Sequence, residues 1–505
     1  MRAAVQLAPQ VGPGLAAGDL LQRALPAGKG AGVITVIWFR QDLRVQDQPL
    51  LRRAAALGAP VLTLYVLPER WLAAGEEGFD RLGPAKSCFL LESVQALADG
   101  LNALGLTLVT ACGGPASLLA HWQAQAPLQV VTAEADAPEE QAGLAALRRA
   151  GIPVHEVASR TLLCGDTRPG ASSLCGSFSR FRRRVEADGG PPVAQPEGPP
   201  PALAAAAPLP LPAGTESALA PLQQRCRHWL RNHRDYFSLP GGEPVARRWL
   251  EQYLFSDRHI AHYNATRNQL IGSGFSSRLS AALAWGCLSV RRVWHAILEY
   301  ERRHGASEHS YWLRFELLWR EFFHWSLREH GTAVFRYQGL SPSPDFPPLE
   351  EACHQGYWQR WCQARTGLPF IDANLRELMA TGYLSNRGRQ NLASFFVHDM
   401  GLDWRRGARW FEHHLVDHDV ASNWGNWAYI AGKGHDARGG RRFSPTRQWW
   451  RHDPHAAHLH HWLPPLRRLT PEQCLALHFS AGQPDPLADY PAAMLALPAA
   501  DRVTP

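Results

Sequence analysis

VITVIWFRQDLRVQDQPLLRRAAALG, residues 33–58, decides the fold class of the first part of the chain. Val33–Phe39 is a short apolar run with β-branched residues and reads as a buried parallel strand. PLLRRAAALG then reads as an Ala/Leu helix ending at Gly58. The same alternation continues outward. Strands are predicted at 60–66, 106–110, 128–133 and 154–157, and helices at 90–105, 116–125 and 139–150. This pattern predicts a doubly wound, parallel-sheet α/β domain over residues 33–165. Such sheets bind ligands at the carboxyl ends of their strands, here near Arg40–Asp47 and Ala133–Glu140. Neither a GxGxxG loop nor a P-loop follows the first strand, so ordinary dinucleotide binding and ATP hydrolysis lose their main support.

The chain has 505 residues, enough for two to four domains of roughly 100–200 residues each. Residues 1–32 are rich in Ala, Gly and Pro and read as a disordered extension or a misassigned start, with an organelle transit peptide left open. Residues 166–222 contain GGPPVAQPEGPPPALAAAAPLPLPAG and read as an inter-domain linker. Helical spacing dominates residues 223–450, an expected all-α domain, and residues 451–505 read as a variable tail. No run of 18 apolar residues marks a membrane span. The net charge of +7 fits an anionic partner about as well as it fits a plain surface preference for arginine. Nine cysteines are scattered without a CxxC pair, so neither a zinc site nor a disulfide framework is expected, which suits a reducing, cytoplasmic setting. HDPHAAHLHH (His452–His461) has no second ligand type nearby and is not read as a metal site.

Four stretches of the helical part concentrate chemistry. In FELLWREFFHW (Phe315–Trp325), Glu316, Trp319, Arg320 and Phe323 share one helix face. An intrahelical Glu–Arg pair beside core aromatics explains that face as simply as a pocket lining does. A helix apolar nearly all round is buried, however, and its acid and guanidinium then need partners. FSSRLSAALAWGCLS (Phe275–Ser289) sets three serines at a helix start, where hydroxyls and free N–H groups suit a phosphate, although serine caps are common. TGLPFIDANLRELMATGYLSNRGRQNLASFFVHDM (Thr366–Met400) reads as two helices joined at Thr381–Leu384, with Ser385 capping the second and Asn386, Arg389 and Gln390 on one face. DWRRGARWFEHHLVDHDVASNWGNW (Asp403–Trp427) combines tryptophans with Asp417, Asp419 and Asn423. Carboxylates are rarely buried unpaired, so this span is either core with ion pairs or a wall for a large planar ligand with polar edges. RFRRR (Arg180–Arg184) and RGGRR (Arg438–Arg442) suit phosphates, or are simply solvated.

Together, IWFRQDLRVQDQPLL, SSRLSAALAWGCLS, FELLWREFF, TGLPFIDANLRELMATGYLSNRGRQN and WFEHHLVDHDVASNWGNWAYIAG resemble the photolyase/cryptochrome family. NRGRQN (386–391) and SNWGNW point to its DASH branch, and the resemblance runs in order from about residue 33 to 450. It implies an N-terminal α/β domain that carries an antenna and a helical domain that holds FAD. Ser276, Ser277 and Ser280, with Arg278 and Leu279 between them and Tyr263 nearby, would bind the FAD phosphates. Asp417, Asp419 and Asn423 would line the isoalloxazine and ribose, Asn423 facing N5. Arg389 would pair with Asp417, and Arg320 would also border the cofactor. Glu316, Trp319, Asn386 and Gln390 match lesion-facing positions, with Glu316 and Asn386 touching the cofactor as well. Arg267 and Arg387 would join Trp319 and Gln390 in contacting DNA.

Trp427 and Trp404 match the first two members of the family's tryptophan electron relay. The third position falls at Glu351, with Trp358 the nearest substitute and Trp361 read as structural. Glu134 matches loosely an acid that faces an antenna pterin, 5,10-methenyltetrahydrofolate (MTHF). The function so implied is that of a cytoplasmic, monomeric, blue-light-driven enzyme. It would pass an electron from reduced FAD to cyclobutane pyrimidine dimers in UV-damaged DNA, single strands preferentially. The alternative is a blue-light photoreceptor that uses the same flavin pocket to change its binding to nucleic acid or protein, with little repair.

Overall fold

Strand β1 (Ile34–Phe39) lies at the centre of a five-stranded, all-parallel sheet of order β3-β2-β1-β4-β5. The other strands are β2 (Val61–Leu67), β3 (Leu108–Cys112), β4 (Leu128–Ala133) and β5 (Val154–Val157). The computed structural model describes residues 32–170, 177–187, 190–233, 240–340, 351–435, 440–480 and 490–502. The expectation for residues 1–32 therefore falls, but for its last residue, outside the described residues.

Alternate residues of β1 point into two different cores, as the two-residue period of a strand requires. Ile37 and Phe39 join the core built with α1 (Pro49–Leu57) and α2 (Pro84–Asn102). Val36 and Trp38 join the core built with α3 (Pro115–Gln123) and α4 (Pro138–Arg149). The sheet is thus wound on both faces, which is why its central strand reads as unbroken apolar sequence. One boundary moves: β3 starts two residues later than the apolar run suggests. Leu106 N–H bonds back to Leu101 O across left-handed Gly105, so Leu106 still closes α2.

The proline-rich stretch is not a free tether. Val61 exchanges backbone hydrogen bonds with Ala204 and Ala206, and the Trp122 indole donates to Pro210 O. Ala206, Leu209 and Leu211 pack on the second core. Two helices also interrupt the region read as linker: α5 (Phe178–Val185) and the start of α6 (Leu219–His233). Cys88 of α2 and Cys226 of α6 form a disulfide although they are 138 residues apart, contrary to the expectation of no disulfide; nothing in the cysteine spacing signals that α2 and α6 pack together.

The remaining residues form a helical body. Its site-bearing elements are α7 (Ser280–Ala284), α8 (Glu308–His330), α9 (Pro369–Thr381), α10 (Asn386–Ser394), α11 (Trp404–His414) and α12 (Val420–Ile430). Left-handed Gly382 ends α9, and the Ser385 hydroxyl caps α10 by accepting from Gly388 N–H, as the sequence predicts. Residues beyond 450 continue this body. Helices α13 (Pro445–His452), α14 (Ala457–Trp462) and α15 (Pro471–Leu477) bury Trp449, Leu459, Leu463 and Leu475 against Leu270 and Phe370. His458 bonds Glu377 and His478 stacks on Trp449, so these two histidines serve packing. No helix among the described residues is long and apolar enough to cross a membrane.

Candidate functional site

A cavity of about 450 Å³ opens between α7, α8, α10 and α12, inside the range typical of ligand sites. One end is made by Ser276, Ser277, Arg278, Leu279 and Ser280, with Tyr263 and Arg267 beside them. Arg278 takes a left-handed backbone, φ 51°, at the turn into α7. α8 contributes Glu316, Trp319, Arg320 and Phe323, spaced so that one face of the helix forms a wall. α10 contributes Asn386, Arg389 and Gln390. Asp417, Asp419, Asn423 and Trp427 close the far side, where Asp419 also caps α12 by accepting from Ser422 N–H.

The charges in this wall are organised. Arg389 donates to Asp417 at 2.7 Å, while Asp417 Oδ1 is buried without a hydrogen-bond partner among the described residues. Burial works against ionisation of Asp419, but His324, Arg320 and Arg160 outweigh it and hold the carboxyl well below the usual carboxylate range. His324, wholly buried one turn after Arg320 on α8, faces Asp136 at 2.7 Å and Asp419 at 3.2 Å, so the cavity is wired to the end of β4. Burial pushes Glu316 up from its ordinary value, opposed by Arg267, whose guanidinium is bonded to it. Asn423 donates an amide N–H to Ala408 O at 2.9 Å, which leaves its Oδ1 as the acceptor for a ligand. The Trp427 indole N–H is buried without a partner among the described residues. Orphaned donors and acceptors on a cavity wall indicate a polar ligand that the site is built to receive.

Several residues named from the sequence stand elsewhere. Arg387 bonds Gln448 and Asn268 outside the cavity lining. Glu134 is bonded to Arg168 through one oxygen and to Arg328 through the other. Trp404 packs edge-on to Trp424 at 5.7 Å and donates its N–H to Tyr337 O. Trp358 packs on Phe79 and Phe396 with the Arg406 guanidinium 4.4 Å from its ring. Trp361 is fully buried against Phe396 and Trp410, consistent with a structural place. The side chain of Glu351 lies outside the described residues, as do Arg438 and its neighbour. Arg442 is tied to Asp399 and Asp501.

Among the lining residues not singled out in the sequence are Tyr383 and His418. Tyr383 bonds Ser276 at 3.5 Å beneath Arg278 and Arg389, and His418 lies between Asp417 and Asp419. Tyr383 sits in the turn between α9 and α10, where only the third dimension brings it to the serines. A second cavity, about 480 Å³, lies at the junction of the domains and is lined by Phe79, Arg81, Pro138, Glu139, Phe335 and Trp424 among others.

Residues 35–200 match the family described as DNA photolyase, and residues 312–503 match the FAD binding domain of DNA photolyase. The chain is 37% identical over 451 residues to cryptochrome DASH of Gloeobacter violaceus, covering 86% of each chain. It belongs to the photolyase/cryptochrome family, in the cryptochrome DASH branch. Cryptochrome DASH of Xenopus laevis is 34% identical, with 86% of this chain and 83% of that one covered. The crystal structure of a Synechocystis cryptochrome superposes with a TM-score of 0.80 at 32% identity, covering 92% of this chain and 96% of that one. A class III photolyase of Agrobacterium tumefaciens gives 0.73 at 25% identity, covering 94% and 96%. The family's FAD-binding domain reaches residue 503, which agrees with the packing of α13–α15 onto the helical body.

A cryptochrome DASH chain is expected to hold FAD in this domain, and the donor set fits. Hydroxyls and a guanidinium gather at one end for phosphates. Acceptors at Asp417 Oδ1 and Asn423 stand at the other for ring N–H groups.

Proposed function

We propose that the chain is a blue-light-driven DNA lyase that holds FAD in the 450 Å³ cavity and splits cyclobutane pyrimidine dimers, preferentially in single-stranded DNA. The observation that carries this reading is a shared wall. Asp417, Asp419 and Asn423 line the same cavity as Glu316, Trp319, Asn386 and Gln390. A bound flavin and a flipped dimer would meet there with no protein between them. The chemistry the cofactor supplies is electron donation to the dimer and recovery of that electron after the ring opens.

The chain's own residues bind and orient. Ser276, Ser277, Ser280 and Arg278 hold the phosphates, and Arg389 and Arg320 set positive charge beside the ring system. Trp319 offers its indole to a base taken out of the stack, and single strands avoid the cost of unpairing. Neutral Glu316 donates to a pyrimidine carbonyl. For that, Arg267 must leave Glu316, and a DNA phosphate is the partner that competes for it. Trp427 and Trp404 carry electrons inward for photoreduction. An MTHF antenna would sit in the 480 Å³ cavity between the domains; the acid there, Glu139, is paired with Arg70 and Arg81, much as Glu134 is with Arg168 and Arg328.

The test is light-dependent loss of dimers from a damaged single-stranded oligonucleotide, wild type against Glu316→Ala. The variant is expected to be roughly tenfold to a hundredfold slower, the size of a lost hydrogen bond to a group that gains charge. No loss of dimers with reduced, illuminated wild type would remove the repair claim. The photoreceptor reading, favoured by the resting Arg267–Glu316 pair that occupies the lesion-facing acid, would then stand on a lit-versus-dark difference in nucleic-acid affinity.

A further inference from the structure

Trp319 separates two spaces. It lines the large cavity and also a far smaller void shared with Phe178, Phe322 and Phe323. On the side of that void, Phe178 lies over the indole with ring centroids 3.7 Å apart and planes 12° from parallel. Phe178 is held edge-on in turn by Phe315 at 5.1 Å and Phe322 at 5.8 Å, and it is 5% exposed. It is the first residue of α5, in the region that reads as linker from the sequence. The apolar face of α5, Phe178 and Phe181, is buried against α8, while Arg182 crosses the Phe315 ring at 5.5 Å and bonds the Tyr311 hydroxyl. α5 is therefore fastened to the helix that carries Glu316 and Trp319.

We propose that Phe178 is a positioning residue of the substrate site: stacked on the far face of Trp319, it holds the indole plane in the orientation on which a flipped pyrimidine stacks. This rests on Trp319 being the substrate platform. Apart from Phe178 the indole meets Phe322, Phe323 and Tyr429 at 6.0, 5.4 and 5.7 Å and also borders the 450 Å³ cavity, and any freedom it keeps there must be removed when a base binds. A parallel ring behind it supplies that order in advance. An aromatic pair of this kind changes affinity roughly two- to tenfold. The linker thereby becomes part of the DNA site, although Phe178 itself touches no base.

The experiment compares Phe178→Leu and Phe178→Met, which keep apolar volume without the ring, with Phe178→Tyr, which keeps the ring. All are prepared with FAD bound and measured for affinity to one oligonucleotide with and without a thymine dimer. The ratio of the two affinities is expected to fall roughly two- to tenfold in the Leu and Met variants and to survive in the Tyr variant, with undamaged DNA bound as before. An unchanged ratio in the Leu and Met variants, while Trp319→Ala abolishes it, would overturn the role of Phe178 and leave the platform intact. An equal loss for both oligonucleotides together with loss of flavin would overturn it too, as mere packing. An unchanged ratio in Trp319→Ala would overturn the platform and the proposal with it.

Discussion

Arg389 and Asp417 show how much a single pair carries. The carboxylate is buried, one oxygen is bonded to Arg389 at 2.7 Å and the other has no hydrogen-bond partner among the described residues. Arg389→Ala would strand that charge, at a cost of roughly 3–5 kcal/mol. The expected outcome is a lower melting temperature and a lower flavin-to-protein absorbance ratio after purification. His478 gives a pH prediction. Burial lowers its pKa to about 4, and its neighbours fit the neutral ring: Nδ1–H donates to Cys474 O and Nε2 accepts from Phe370 N–H. In the unfolded chain the group titrates near about 6.5. Between those values the unfolded state binds a proton that the folded state does not, so stability falls as pH drops from about 6.5 to about 4. Thermal melts across that window are expected to show a shallower slope in His478→Gln than in wild type. At this scale the sequence was informative where chemistry is local, as in the Asp417, Asp419 and Asn423 cluster. It was silent on Tyr383, which reaches the serines only through the fold, and on the two arginines that pair with Glu134 from distant segments.

Helices α11 and α12 pack so closely that a Cβ at Gly407 would overlap the Trp427 indole. Gly407→Ala must push that ring or part the helices, a change of about 1–3 kcal/mol, and is expected to slow flavin photoreduction under blue light with an external reductant. The same absorbance measurement separates the relay's members. Trp404→Phe is expected to slow photoreduction. Trp358→Phe is expected to leave it unchanged: Trp358 packs on Phe79 and Phe396, and no ring contact among the described residues joins it to Trp404. A slow Trp358→Phe variant would restore Trp358 as the outer step. Periodicity made most elements readable, including the five strands and the Ser385 cap of α10. It failed at the β2–β3 connection, where Gly105 lets α2 keep Leu106, and in the proline-rich stretch, where composition speaks of flexibility but Val61 and Trp122 capture the backbone.

Hydrogen bonds and ion pairs, several of them buried, fasten the two domains together. Glu321 of α8 accepts from Leu162 and Leu163 N–H, Arg81 pairs with Glu412 at 2.6 Å, Arg406 with Glu77 at 2.8 Å, and His324 bridges Asp136 to the cavity wall. Calorimetry is therefore expected to give one unfolding transition, coincident with flavin release. Two separated transitions would contradict such coupling. None of these contacts was readable from the chain, because each partner lies far away in sequence and no local pattern encodes which surfaces meet. The shared cavity remains the central claim, and the most direct measurement of it is the fluorescence lifetime of the reduced, flavin-loaded protein with and without a dimer-containing oligonucleotide. A dimer held against the flavin, with Trp319 behind it, is expected to shorten that lifetime, while the same undamaged strand leaves it as it was. Equal lifetimes with both strands, at concentrations where both are bound, would contradict the account.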